Sequence, residues 1–199
     1  TVILFIFNCT TAQTKTHNLG LGVSPYGMNN AVIRYKTGNE SEKMKIDYNS
    51  YKAAQLFYEK QFKGSGVMME FSYAQADLEK VDKNILDKYQ PDLKLDEKIT
   101  TYSFHLYGII TINKQKRVQL PIYLGVGGDY IEGGPVSALY GVATGKARLK
   151  IYLTNKFGIY GGYSYDYGLT YRSLGSGSGT APRVDRFISN QVQHVDAGI

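Results

Sequence analysis

Val118-Gln119-Leu120-Pro121-Ile122-Tyr123-Leu124-Gly125-Val126-Gly127 decides the fold class of this chain. Val118, Leu120, Ile122, Leu124 and Val126 fall on one side of a period-two repeat, and Gln119, Pro121, Tyr123, Gly125 and Gly127 fall on the other. A helix cannot sort residues this way, whereas a strand does so by geometry. Upstream, Tyr102, Phe104, Leu106, Gly108, Ile110 and Ile112 alternate with Ser103, His105, Tyr107 and Thr111 in the same way. Val67, Met69, Phe71 and Tyr73 alternate with Met68, Glu70, Ser72 and Ala74, and Ala147, Leu149, Ile151 and Leu153 with Lys146, Arg148, Lys150 and Tyr152.

Four weaker segments bring the total to eight. They centre on Leu19-Val23, Leu56-Phe62, Phe157-Tyr165 and Val195-Ile199. Lys60 is a charge on one of their apolar faces, beside a turn where its stem can reach an interface. The connections alternate in length. Lys63 to Gly66, Asn113 to Arg117 and Thr154 to Lys156 are short. Gly27 to Ser50, Asp77 to Lys98, Ile131 to Ser137 and Leu169 to Ser189 are long and polar or glycine-rich. An antiparallel meander with short turns at one end and long loops at the other follows. Met44, Ile46 and Tyr48 alternate inside the first long loop and predict a hairpin that runs on as a ribbon. A short helix is expected within 76–88.

Composition narrows the class. The chain has 199 residues, 43% hydrophobic and 20% charged, with Gly 22, Tyr 18, Cys 1 and Trp 0. That is one domain, too apolar for disorder and too poor in cysteine for a disulfide scaffold or a zinc ribbon. Outside the N-terminus no window approaches the ~18 apolar residues of a membrane helix, which leaves membrane barrels open. The net charge of +6 is scattered rather than clustered, so no nucleic-acid partner is expected.

The segment 1–12 reads as the back half of a secretion signal, with the apolar run Val2 to Phe7 and the small residues Thr10 and Ala12 ahead of Gln13. The barrel domain is expected over 13–199.

Alternation alone fits a soluble, lipocalin-like barrel with a hydrophobic ligand inside as well as a membrane barrel with lipid outside. The polar face carries Glu59, Glu70, His105, Lys146, Arg148 and Lys150. Tyrosines gather near the long-loop ends (Tyr26, Tyr73, Tyr102, Tyr130, Tyr163, Tyr165), and Phe62 and Phe157 lie near the short turns. Aromatic belts mark lipid interfaces. The expected fold is therefore all-β: an eight-stranded antiparallel up-and-down transmembrane β-barrel with short periplasmic turns and long external loops.

The alternation, together with segments such as Lys63-Gly64-Ser65-Gly66-Val67-Met68-Met69-Glu70-Phe71-Ser72-Tyr73, resembles the small eight-stranded outer-membrane barrels of Gram-negative bacteria, the OmpA/OmpX-like and porin-like group. The resemblance spans Gln13 to Ile199. It implies residence in the bacterial outer membrane, with outer-membrane lipid or lipopolysaccharide as surroundings and the barrel-assembly machinery as a partner during insertion. It also implies a possible extracellular ligand at the loops. Such barrels usually end on an aromatic residue, whereas this chain ends on Ile199, which reads as a chain cut short.

Eight strands enclose a space just wide enough for side chains, which predicts a plugged lumen with at most small-ion passage. Inward glycines at 20, 22, 125, 127, 158 and 162 would make room for larger neighbours. Pairing Phe62 with Val67 places Glu59 opposite Glu70, and Arg148 and Lys150 point inward at a similar depth. A lumen charge cluster of Glu59, Glu70, Arg148 and Lys150 is expected, with His105, Lys146, Tyr107 and Tyr152 as further inward polar groups. Some barrels of this kind are enzymes with rim sites. Here His105 with Ser103, His194 with Asp196, and His17 supply no nucleophile with an orienting acid, so a non-enzymatic protein is expected, with no cofactor and no metal.

Overall fold

The computed structural model describes residues 7–10, 16–37, 39–62, 65–89, 96–114, 117–154, 157–174 and 184–199. The strands are β1 (Phe7–Thr10), β2 (Thr16–Thr37), β3 (Glu40–Gln61), β4 (Ser65–Val81), β5 (Lys98–Lys114), β6 (Val118–Glu132), β7 (Ala138–Tyr152), β8 (Gly158–Leu174) and β9 (Val184–Gly198). Each pairs antiparallel with the next, and β9 returns to pair with β2. The wall is thus a closed barrel of eight long strands. The four-residue β1 adds on to β2 between Thr16 and Leu19. Apart from β1, the segment expected as a leader lies outside the described residues. No described helix is long and apolar enough to cross a membrane.

Register fixes the tilt. Following direct partners from Leu21 leads through Leu56, Phe71, Phe104, Gly128, Gly141, Leu169 and Ser189 and back to β2 at Val32. One circuit therefore climbs roughly 25–30 Å along the axis for strands tilted by ~40°.

Two of the expected long loops are mostly strand. β2 runs to Thr37 and β3 starts at Glu40, so the stretch 27–50 is a continuous hairpin. β8 and β9 likewise extend to Leu174 and from Val184. The helix falls at Lys83–Tyr89 (α1), later than the middle of its expected window, and Gly134–Val136 form a single 3-10 turn.

Bulges re-phase the alternation where the sequence pattern weakens. On β2 the outward series Leu19, Leu21, Val23 resumes as Tyr26, Met28, with a register shift between Val23 and Tyr26. On β3 the inward series Met44, Ile46, Tyr48 resumes as Tyr51, Ala53, Gln55 across Asn49 and Ser50. Ser50 takes a left-handed conformation, φ 52°, to make that step.

Polarity divides the barrel into two zones. In the lower zone, toward the short turns, large apolar side chains face outward, including Leu124, Val126, Ile110 and Leu106. In the upper zone the sense reverses. Ile33, Tyr35, Met44, Ile46, Tyr48, Ile99, Ile131 and Ile188 pack inside as an apolar core, with Leu86 of α1 on top. Their outward neighbours are Arg34, Lys36, Lys43 and Lys45. Each such aliphatic side chain contributes about 1.5–3 kcal/mol of burial, which supports a strand extension that stands in water. Tyr35 stacks on Tyr89 of α1 with ring centroids 4.5 Å apart, and Lys88 reaches Glu42 at 2.5 Å. Burial in this cap raises the Tyr35 and Tyr48 phenols above their usual range.

Candidate functional site

The candidate site is the lumen of the lower zone, built by the inward positions of all eight barrel strands, β2 to β9. Glu59 on β3 lies 2.6 Å from Lys150 on β7 and accepts a hydrogen bond from the Tyr123 hydroxyl at 2.9 Å. Gln61 donates a further bond to Glu59. Glu70 on β4 is paired by Arg148 at 2.9 Å and by Lys146. Arg148 also reaches Asp196 on β9 at 3.2 Å and donates to Gln55 at 3.1 Å. Its guanidinium lies over the rings of Tyr160 (4.6 Å), Phe57 (5.0 Å) and Tyr123 (5.4 Å). Arg148 is 0% exposed. A planar, multiply donating cation suits such a position, because it can hold two carboxylates and stack at once.

A second layer lies above. His105 on β5 faces Asp129 on β6 at 2.9 Å and Tyr107 at 3.2 Å. Tyr107 in turn meets Thr144 at 3.2 Å, and Thr144 donates to Asp166. His194 on β9 lies between Asp196 on Nδ1 (2.8 Å) and Asp166 on Nε2 (3.4 Å). With a carboxylate on each ring nitrogen, only the doubly protonated ring donates to both.

Inward glycines make this packing possible. A Cβ at Gly20 would collide with the Phe57 ring, one at Gly127 with His105, and one at Gly162 with the Arg148 stem. Each glycine faces one of the large side chains that fill the interior, so their spacing along β2, β6 and β8 is a packing device.

The register corrects one detail of the expected cluster. Glu59 pairs with Met68, and Glu70 pairs with Phe57, so the two acids are offset on one face rather than opposed. The turn is tighter than the Phe62–Val67 pairing assumed, since Phe62 N donates to Ser65 O at 2.7 Å. Lys150 serves Glu59 and Arg148 serves Glu70. Lys146 belongs to the same cluster. Tyr152 is half-buried near the short-turn end, 3.5 Å from Gln119. Asp129, Asp166, Asp196, Ser24 and Gln55 were not among the expected residues. Carrying the alternation past Gly127 and Ser164 reaches Asp129 and Asp166, and Asp196 shares the face of His194.

Ser24, His194 and Asp166 make a serine–histidine–aspartate sequence, with Ser24 Oγ 2.7 Å from Nδ1 of His194. Its surroundings do not suit nucleophilic attack. Ser24 is 1% exposed, donates to Asp196 at 3.1 Å and accepts from Gln55 at 3.2 Å. A nucleophile needs room for a carbonyl and an oxyanion beside it, and here apolar side chains lie above and Arg148 below. The histidine pairs named from the sequence fare alike: Ser103 does not hydrogen-bond His105, and His17 meets Tyr58 at 2.5 Å on the outside. Among the described residues no group of three or more His, Cys, Asp and Glu is placed to hold a metal ion.

Outside, Tyr73, Tyr102 and Tyr130 sit on adjacent strands with ring centroids 5.5 and 6.4 Å apart. With Tyr26 they mark the upper edge of the apolar band, all exposed. Tyr163 and Tyr165 are exposed lower on β8, and the Tyr163 hydroxyl donates to Gln193 at 2.8 Å. Phe62 is exposed and Phe157 half-buried at the short-turn end. From Ile112 to Tyr102 the band spans roughly 25 Å along the axis, the height of a lipid-facing girdle.

Charge inside, apolar groups outside and closure without an edge occur together. This is the architecture of the small eight-stranded outer-membrane barrels. A soluble barrel with a greasy interior would show the opposite polarity in the lower zone. No family model and no curated protein matches the chain. Among solved structures, the chain is similar to Neisserial surface protein A at 12% identity, covering 86% of this chain and 95% of that one, with a TM-score of 0.36. It is similar to Ail, the attachment invasion locus protein of Yersinia pestis, at 15% identity over 87% and 97%, TM-score 0.34. OmpT, an outer membrane protein of Vibrio cholerae, matches at 12% over 94% and 53%, TM-score 0.29. Likenesses this distant bear on no functional point.

Proposed function

We propose that this chain is a non-enzymatic integral barrel of a bacterial outer membrane, with its lumen plugged by ion pairs and its external cap acting as a surface for interaction. The observation that supports this reading is the set of ion pairs across the lower lumen, where Glu59, Glu70, Asp196, Lys146, Arg148 and Lys150 neutralise one another across strands. A conducting pore needs a continuous wet path, and a cluster this interlocked supports none for solutes larger than a small ion. The surroundings would be outer-membrane lipid or lipopolysaccharide, and the barrel-assembly machinery would insert the chain. The described part of the upper zone is strand packed on an apolar core, which suits binding by a preformed face.

The test is gel migration in cold detergent with and without boiling, followed by conductance in a planar bilayer. The proposal expects a compact species that shifts on boiling and no steady conductance. A protein that stays in solution without detergent would overturn the membrane reading. Steady channels from the purified protein would overturn the plug.

A further inference from the structure

We propose that the outward face of β8, β9 and β2, just above the tyrosine girdle, holds the phosphorylated saccharide headgroup of a glycolipid in the surrounding leaflet. This rests on the membrane reading and adds the lipid class and the residues that bind it. Tyr171, Phe187, Arg34 and Lys43 are successive direct partners across four strands, all facing outward. The rings of Tyr171 and Phe187 lie 4.8 Å apart and are 49% and 47% exposed. One pleat lower, Ser189 is too small to fill the space between Leu169 and Val32. The result is a hollow of about 490 Å³ with Tyr167 at its foot and Arg34 on its rim.

Three features point to one occupant. Elsewhere on the cap the outward positions of β2 and β3 are polar, so exposed rings beside Arg34 mark a place where water is displaced. Arg34 stands directly opposite Lys43, with Lys45 opposite Val32, and like charges across a strand pair are unfavourable without an anion between them. The row itself, Tyr171, Phe187, Arg34 and Lys43, contains no acid.

Height then selects the lipid. Tyr171 stands roughly 10 Å above Tyr167 along the axis, whereas the polar layer of a phospholipid leaflet is only about 5–8 Å deep. A saccharide headgroup reaches the row, and a glycerophosphate does not. The hollow continues downward through Leu169 and Tyr167 into the lipid-facing wall, so its occupant arrives from the membrane. A sugar ring would lie on Tyr171 and Phe187, and a phosphate would take the fork of Arg34 and the charge of Lys43.

The experiment titrates the purified full chain in detergent with rough-type lipopolysaccharide and follows Tm. Dephosphorylated glycolipid, phosphatidylglycerol and a soluble hexose phosphate serve as comparisons. The phosphorylated glycolipid is expected to raise Tm with a half-saturating concentration at least tenfold below that of the other three. R34Q/K43Q should keep the Tm of the unliganded protein and lose that tenfold preference, and Y171S/F187S should do the same through its sugar contact. A double variant that responds like the parent protein overturns the site. Equal response to phosphatidylglycerol overturns the saccharide, and equal response to the soluble phosphate overturns the membrane source. Failure of the membrane reading would show separately, as a chain that needs no detergent before any lipid is added.

Discussion

Lys150 Nζ lies 2.6 Å from Glu59 Oε2, and neither side chain is open to solvent. Each charge is tolerable there only because of the other. Replacing Lys150 by Met strands a carboxylate with the Tyr123 and Gln61 hydrogen bonds as its remaining compensation, and the expected loss is about 3–5 kcal/mol. E59Q/K150M removes both charges and should recover most of it. Urea unfolding from lipid vesicles reads the difference through tyrosine fluorescence, since the chain has no tryptophan. Losses that simply add in the double variant would mean that the two groups do not interact.

How far the sequence carries can be traced residue by residue. The faces of β4 to β7 were legible because period two runs unbroken there, from Val67 to Tyr73 and from Val118 to Val126. The first hairpin was legible in part: Met44, Ile46 and Tyr48 gave its extension as a ribbon, but the bulges at Ser24 and Ser50 shift the phase, so each strand reads as two short runs instead of one long one. The reversal of polarity was hidden for the same reason. Met44, Ile46 and Tyr48 alternate correctly, but alternation does not say which face is wet. Lys150 and Glu59 could be placed on the inner face, yet their pairing depends on which strands face each other across the lumen. That follows from closure and tilt, which no local stretch of sequence encodes.

The Ser24–His194 contact of 2.7 Å invites a catalytic reading that a single substitution tests. Ser24→Ala removes one hydroxyl from a network in which Asp196 keeps Arg148, Ser164 and His194 as partners. The expected cost is about 1 kcal/mol, close to that of one hydrogen bond. Esterase, peptidase and lipid-deacylation assays on the purified protein should give the same background for Ser24→Ala and the parent. A hydrolytic rate that vanishes with the serine would instead make this a catalytic centre and require a route for substrate into the lumen.

Gly127 faces His105 across the β5–β6 pair, and a Cβ there would strike both the imidazole and the Phe104 carbonyl oxygen. The imidazole could swing aside only by leaving Asp129, and the backbone oxygen cannot move without breaking the ladder. Gly127→Val is therefore expected to cost several kcal/mol, on the scale of overpacking plus a lost buried pair. Gly141→Val, on the outer face where a Cβ meets nothing within 4 Å, should fold normally. Refolding yield into vesicles for the two variants, side by side, separates steric crowding from a general intolerance of valine in the wall. Equal yields would contradict the packing described for the lumen.

Truncations at Leu124 and Ile46 should differ in cost, and a charge placed at Leu124 tells a lipid-facing position from a water-facing one. Leu124 is 65% exposed in the middle of the apolar band, and Ile46 is 0% exposed inside the external cap. Acyl chains refill the space left by Leu124→Ala, so no cavity forms and the cost stays below about 1 kcal/mol. Leu124→Arg places a charge near mid-bilayer and should cost about 2–4 kcal/mol. Ile46→Ala leaves a real cavity among Tyr48, Met44 and Ile33 and should cost about 2–5 kcal/mol, although it lies outside the membrane. Unfolding from vesicles gives all three values. A large loss for Leu124→Ala with none for Leu124→Arg would place Leu124 against protein or water and turn the polarity of the lower zone inside out. A negligible loss for Ile46→Ala would mean that the strand extensions do not share a core.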